Sequence, residues 1–159
     1  MTVRFQVVRD VRQVPRRELL YRRNEYSFDM EPPPNRNFSS VLIDDLNIEV
    51  DNTGRVVSVW GVCPYTRWKD ATLRPPLAEV GAVSVNSDTP IARGVSVPVN
   101  QNKYLPTLFD QCSGWIKIEA KKELGSAIRV FSGVIFEIDE HGELCSLWLK
   151  PRMMSSQPL

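Results

Sequence analysis

The chain has 159 residues, of which 42 % are apolar and 25 % charged, with a net charge of +1. That is the size and balance of one globular domain able to bury a core without metal or disulfide support, and it excludes wholesale disorder. The longest nearly uncharged apolar stretch, residues 56–65, is about half the roughly 20 residues a spanning helix needs, so no membrane contact is expected.

The N-terminal residues alternate charged and apolar side chains, unlike a secretory signal, and a cytoplasmic setting is expected. Val3, Phe5 and Val7 alternate with Arg4 and Gln6, the period of a half-buried strand. Behind Pro15 the segment 16–26 is read as a short helix, since proline suits a helix start. Residues 1–23 carry seven arginines against Asp10 and Glu18, a local charge of +5 against −4 for the remainder. This basic arm, residues 1–31, makes Arg12, Arg16, Arg17, Arg22 and Arg23 candidates for nucleic-acid contact. The plainer reading pairs them with the protein's own acidic body. Pro32, Pro33 and Pro34 impose an extended connector, residues 32–36, between the arm and a β body spanning 37–151.

Within that body Leu46 to Trp60 (LNIEVDNTGRVVSVW) and Val134 to Trp148 (VIFEIDEHGELCSLW) align without a gap at an offset of 88. Each reads as a hairpin around a type I turn. Asp51 and Asp139 open the turns, and Gly54 and Gly142 close them in the left-handed conformation of a G1 bulge. The register from this bulge alone places Val50 near Val56 and Ile48 near Ser58, so that Leu46, Ile48, Val50, Val56 and Trp60, and in the second copy Phe136, Ile138, Leu144 and Trp148, share the core-facing side, with Glu49, Asp51, Glu137 and Asp139 on the other. Serines in Phe38-Ser39-Ser40 and Phe131-Ser132-Gly133 extend the likeness, which suggests internal duplication of a β-hairpin module. Residues 80–85, 94–99 and 115–120 are further strand candidates, residues 104–111 a short helix, and residues 152–159 a tail without periodicity. The fold expected is mainly β, a sandwich or barrel-like curved antiparallel sheet with one or two short helices, in a single domain.

Few residues offer chemistry. His141 is the sole histidine and falls in a turn, so nucleophilic catalysis through histidine has no second candidate. Cys63, Cys112 and Cys145 lie 49 and 33 positions apart, without zinc or disulfide spacing, and read as reduced core thiols. No phosphate-cradling glycine loop occurs. The carboxylate pairs Glu49/Asp51 and Glu137/Asp139 read as a solvated strand face. No catalytic residue, metal or cofactor is assigned.

Tyr65, Arg67 and Trp68 follow Cys63-Pro64 and are the residue types that dominate interfaces. The expected function is therefore a non-catalytic protein-binding or inhibitory module, for example of the small bacterial toxin-neutralising kind. The alternatives are a β-barrel holding a small apolar ligand in a cavity lined by Trp60, Phe136 and Trp148, and nucleic-acid binding through the arm.

Overall fold

The structure, a computed structural model, describes residues 2–9, 17–31, 39–101 and 104–154. Period-two alternation of buried and outward residues gives strands β1 (Val3–Val8), β2 (Leu19–Arg22), β3 (Ser27–Met30), β4 (Ser39–Ile43), β5 (Leu46–Val50) and β6 (Val56–Val62). There follow β7 (Lys69–Asp70), β8 (Glu79–Val80), β9 (Ala82–Ser87), β10 (Ser96–Pro98) and β11 (Thr107–Phe109). The chain then forms β12 (Ile116–Glu119), β13 (Ser126–Phe131), β14 (Val134–Ile138), β15 (Leu144–Leu149) and β16 (Arg152–Met154). Helical structure among the described residues is confined to two single 3₁₀ turns, Arg23–Glu25 and Tyr65–Arg67. No helix among them is long and apolar enough to cross a membrane.

Two seven-stranded sheets form, in the orders β10-β4-β5-β6-β3-β2-β16 and β7-β11-β12-β15-β14-β13-β8, with β1 and β9 as a separate ribbon. The architecture is β-sandwich-like. Tyr21, Phe28, Val41, Ile43, Ile48 and Val59 from one sheet join Ile116, Ile118, Ile128, Phe136, Leu147 and Leu149 from the other in one core. Neither sheet is purely antiparallel: β10 runs parallel to β4, β16 to β2, β7 to β11 and β8 to β13.

The sheets share one strand plan. In the paired hairpins Leu46 faces Gly61, Ile48 faces Val59, Glu49 faces Ser58 and Val50 faces Val56. Val134 faces Leu149, Phe136 faces Leu147, Glu137 faces Ser146 and Ile138 faces Leu144, every partner 88 positions on. The same spacing relates Phe28 to Ile116 and Tyr21 to Phe109 in the neighbouring strands. The ribbon straddles both hairpin tips: Phe5 N–H donates to the Gly142 carbonyl and Val85 N–H to the Gly54 carbonyl, each at 2.7 Å.

The strand registers correct the expected faces. Val57 and Cys145 have no partner residue opposite them, because Glu49 and Val50 pair with Ser58 and Val56, and Glu137 and Ile138 with Ser146 and Leu144. One bulged residue past the turn reverses the alternation. Val59 and Leu147 therefore face the core, while Trp60 and Trp148 point outward from their sheets. Trp60 is 42 % exposed and is not core. Trp148 is buried, but in a second cluster with Leu73, Trp115 and Ile135 on the far side of its sheet. Trp60, Phe136 and Trp148 consequently line no common cavity. Ser39 and Ser40 begin β4, whereas Ser132-Gly133 is the turn between β13 and β14, so those serines are not counterparts.

The arm is also no appendage. Phe5, Leu19, Tyr21, Phe28 and Met30 are buried, which draws β1 into the ribbon and β2 and β3 into the first sheet. Leu19 and Tyr21 alternate with less buried Leu20 and Arg22, so a strand replaces the expected helix there. Thr107–Phe109, expected as helix, is a strand held between β7 and β12. Arg152–Met154, expected as frayed tail, pairs with β2, whose free edge needs a partner. The Pro-rich connector, residues 32–36, and residues 155–159 lie outside the described residues.

Candidate functional site

Where β6 ends, Gly61 (φ 132) and the Cys63-Pro64 step turn the chain into the 3₁₀ turn Tyr65–Arg67. The buried Tyr21 hydroxyl pins this turn, donating to the Cys63 carbonyl at 2.7 Å and accepting from Tyr65 N–H at 2.9 Å. Burial removes the Tyr21 hydroxyl from water and raises its pKa well above the usual 10. Trp68 is half-buried against Tyr21, Phe28 and Phe109, ring centroids 4.8, 6.3 and 5.2 Å away. It therefore closes this end of the core and holds the turn rigid.

Above that base the rings reach the surface. Tyr26 stacks on Tyr65 at 5.6 Å, and the Arg23 guanidinium lies 4.4 Å over the other partner of the stack, Tyr65. Arg67 lies 3.9 Å over Tyr104, which is 59 % exposed. Asp44 fixes the Tyr104 backbone. Its carboxylate accepts from Tyr104 N–H at 2.6 Å, Leu105 N–H at 3.0 Å and Asn100 Nδ2 at 3.0 Å. Beside Arg67 and Tyr104 opens a cleft of about 300 Å³ lined also by Ile43, Asp44, Leu46, Val62, Lys69, Leu105 and Ile118. Cys63 also borders it; burial pushes its thiol up to about 11, which disfavours the thiolate at neutral pH.

Two observations single this end out. Among the described residues the only non-glycine residues with positive φ are Tyr26 (54°), Asp44 (54°) and Tyr104 (67°), and all three belong to it. Such backbone costs energy and concentrates where a surface has a task. Second, the two places where the halves depart from their shared plan meet here. Phe5 and Val85 hold equivalent places 80 positions apart, but Leu19 and Thr107 are 88 apart, so the second connection is eight residues longer. Gly61 and Leu149 are 88 apart, but Lys69 and Arg152 are 83 apart, so the first half holds five extra residues. The first excess brings Tyr104, the second Tyr65 to Arg67.

Tyr65, Arg67 and Trp68, the partner-contact candidates, lie together at this turn, with Trp68 packed beneath it on Tyr21, Phe28 and Phe109. Tyr26, Tyr104 and Asp44 were missed, and Arg23 was a candidate for nucleic-acid contact instead; the place of the first three depends on left-handed backbone and long-range contact, for which the sequence carries no local signal. The described candidates of the arm, Arg17, Arg22 and Arg23, each have a partner within the protein. Arg12 and Arg16 lie outside the described residues. Arg17 donates to the Val57 and Glu31 carbonyls, and burial lowers its pKa; Arg22 pairs with Asp29 at 3.3 Å, and Arg23 turns to Tyr65.

Asp51 and Asp139 cap their turns, accepting from Thr53 and Arg55, and from His141 and Glu143, at 2.8 to 3.1 Å. Glu49 and Glu137 accept the indole N–H of Trp60 and Trp148. His141 is exposed in its turn. Cys145 is buried and Cys63 half-buried, but Cys112, expected in the core, is exposed because Asp110 holds it in a surface turn. No group of three metal-ligating side chains occurs among the described residues. In comparisons with known proteins the chain matches no family model and no curated relative.

Proposed function

We propose that this chain is a non-catalytic protein-binding module whose contact face is the surface of Tyr26, Tyr65, Tyr104, Arg23 and Arg67. The observation that carries the reading is the stacking of Arg67 on exposed Tyr104 beside an apolar cleft. Rigid aromatic rings give large contact area at low entropic cost, and stacked guanidinium groups keep their N–H edges free for a partner. The departures of the two halves at this end fit a symmetric scaffold modified for one task. On the same ground we propose that the halves are copies of one module. Three unpaired thiols accord with a reducing compartment.

A small apolar ligand in the cleft is the second reading, favoured by its aliphatic lining. Selection of a random peptide library on the immobilised protein, followed by amide chemical-shift mapping of the winners, tests the first. Shifts centred on Tyr26, Tyr65, Arg67 and Tyr104 are expected. Absence of binders, or binders mapping elsewhere, would overturn it.

A further inference from the structure

Trp60 and Trp148 are flanked alike, with one exception. Trp148 gives its indole N–H to Glu137, and Lys117, its partner on β12, lays its ammonium 5.1 Å over the ring while holding Glu119 at 3.1 Å. The residues 88 positions earlier are Glu49, Asp29 and Glu31: both glutamates recur, but a carboxylate stands where the cation stood. The register agrees, since Asp29 follows the Phe28–Gly61 pair as Lys117 follows the Ile116–Leu149 pair. We propose that Trp60, with Glu49 and Asp29 beside it, is a recognition site for a lysine or arginine side chain of another protein. It stands independently of the tyrosine face above.

Among the described residues cations lie over Tyr65, Tyr104, Trp115, Phe131 and Trp148, but none over the exposed ring of Trp60. That ring is held in place by its N–H on Glu49 Oε1, so little freedom is left to lose on binding. The other oxygen of Glu49 and the hydroxyl of Ser58, opposite it in the ladder, are buried without a hydrogen-bond partner, whereas Glu137 also accepts from Gly125 N–H at 3.3 Å. Arg17, on which the Glu49 charge acts, spends its donors on the Val57 and Glu31 carbonyls, and Arg22 pairs with Asp29 at 3.3 Å. A cation is drawn to an indole face by the ring quadrupole, and the more so with carboxylates alongside. A carboxylate there would be repelled, and an apolar side chain would leave Glu49 uncompensated.

Capped peptides Gly-Ser-X-Ser-Gly, with lysine, arginine, norleucine or glutamate at X, test this by titration into the full ¹⁵N-labelled chain at low and high salt, following the indole N–H resonances. The lysine and arginine peptides should move the Trp60 resonance and leave that of Trp148 in place. They should bind about threefold or more tightly than the norleucine peptide, with the preference shrinking as salt rises, and the glutamate peptide should bind weakest. Glu49→Gln should reduce the preference. Asp29→Lys, which gives the first sheet the side chain the second already carries, should abolish the response to the lysine peptide while the melting temperature holds. Norleucine binding as tightly as lysine, shifts centred away from Trp60, or a wild-type preference in Glu49→Gln would each overturn the proposal.

Discussion

Trp60 and Trp148 hold the same place in two hairpins of identical register, and each donates its indole N–H to the glutamate across the ladder, Glu49 at 2.5 Å and Glu137 at 2.7 Å. They differ in what lies above them. Leu73 and Trp115 close over Trp148, which is 4 % exposed, whereas Trp60 stands 42 % exposed. The flanking residues match: Asn47 and Ser27 occupy the first sheet where Ile135 and Trp115 occupy the second. Trp148→Ala should therefore cost about 3 to 5 kcal/mol and Trp60→Ala about 1 kcal/mol or less, measured by denaturant unfolding. Equal losses would contradict the opposite environments.

Gly54 and Gly142 have φ of 87° and 80°, and a Cβ there would lie 2.7 Å from the Val85 carbonyl oxygen and 3.0 Å from that of Phe5. Alanine at either position should destabilise by about 1 kcal/mol or more, through both backbone conformation and displacement of the ribbon. Gly54→Ala should be the worse, having the closer contact. Thermal melts of the two variants decide this, and wild-type behaviour of both would refute the docking of β1 and β9 on the tips.

These glycines were legible in the sequence because turn chemistry is local: Asp at the first position and Gly at the fourth prescribe the bend. The offset of 88 likewise gave the pairing of the strands. What local pattern does not carry is the bulge at Val57 and Cys145, since nothing marks either residue as the one left unpaired, and that single residue moves Trp60 from core to surface. The proposed face was half legible for the same reason. Tyr65, Arg67 and Trp68 are neighbours in sequence, but Tyr26 and Tyr104 join them only through the completed fold.

Asp139 supplies a pH test. Burial alone would raise its pKa, but the N–H of Glu143, the Lys121 ammonium and the N–H of His141 outweigh it and hold the carboxyl at about 2, below its usual 3.8. A lowered native pKa contributes stability that is present in full above the unfolded value and is lost as pH falls through the native one. Asp139→Asn should thus be less stable than wild type at neutral pH, with the gap closing between about pH 4 and pH 2. A gap independent of pH in denaturant titrations would show that the charge contributes nothing.

Trp68 and Tyr104 should separate folding from binding. Trp68 packs on Tyr21, Phe28 and Phe109, so Trp68→Ala should cost about 2 to 4 kcal/mol. Tyr104→Ala removes a ring that is 59 % exposed and should lower stability by less than about 1 kcal/mol. Calorimetric melts read both, and a large loss from Tyr104→Ala would recast that ring as structural.

The binding face itself is tested most directly by photocrosslinking in living cells, with benzoylphenylalanine placed singly at Tyr104, at Trp60 and at Leu124, which is 88 % exposed on a remote loop. The account predicts a discrete crosslinked protein from position 104, its loss when Arg67→Ala is added, and none from position 124. Crosslinking from position 60 alone, or equally from positions 104 and 124, would contradict it.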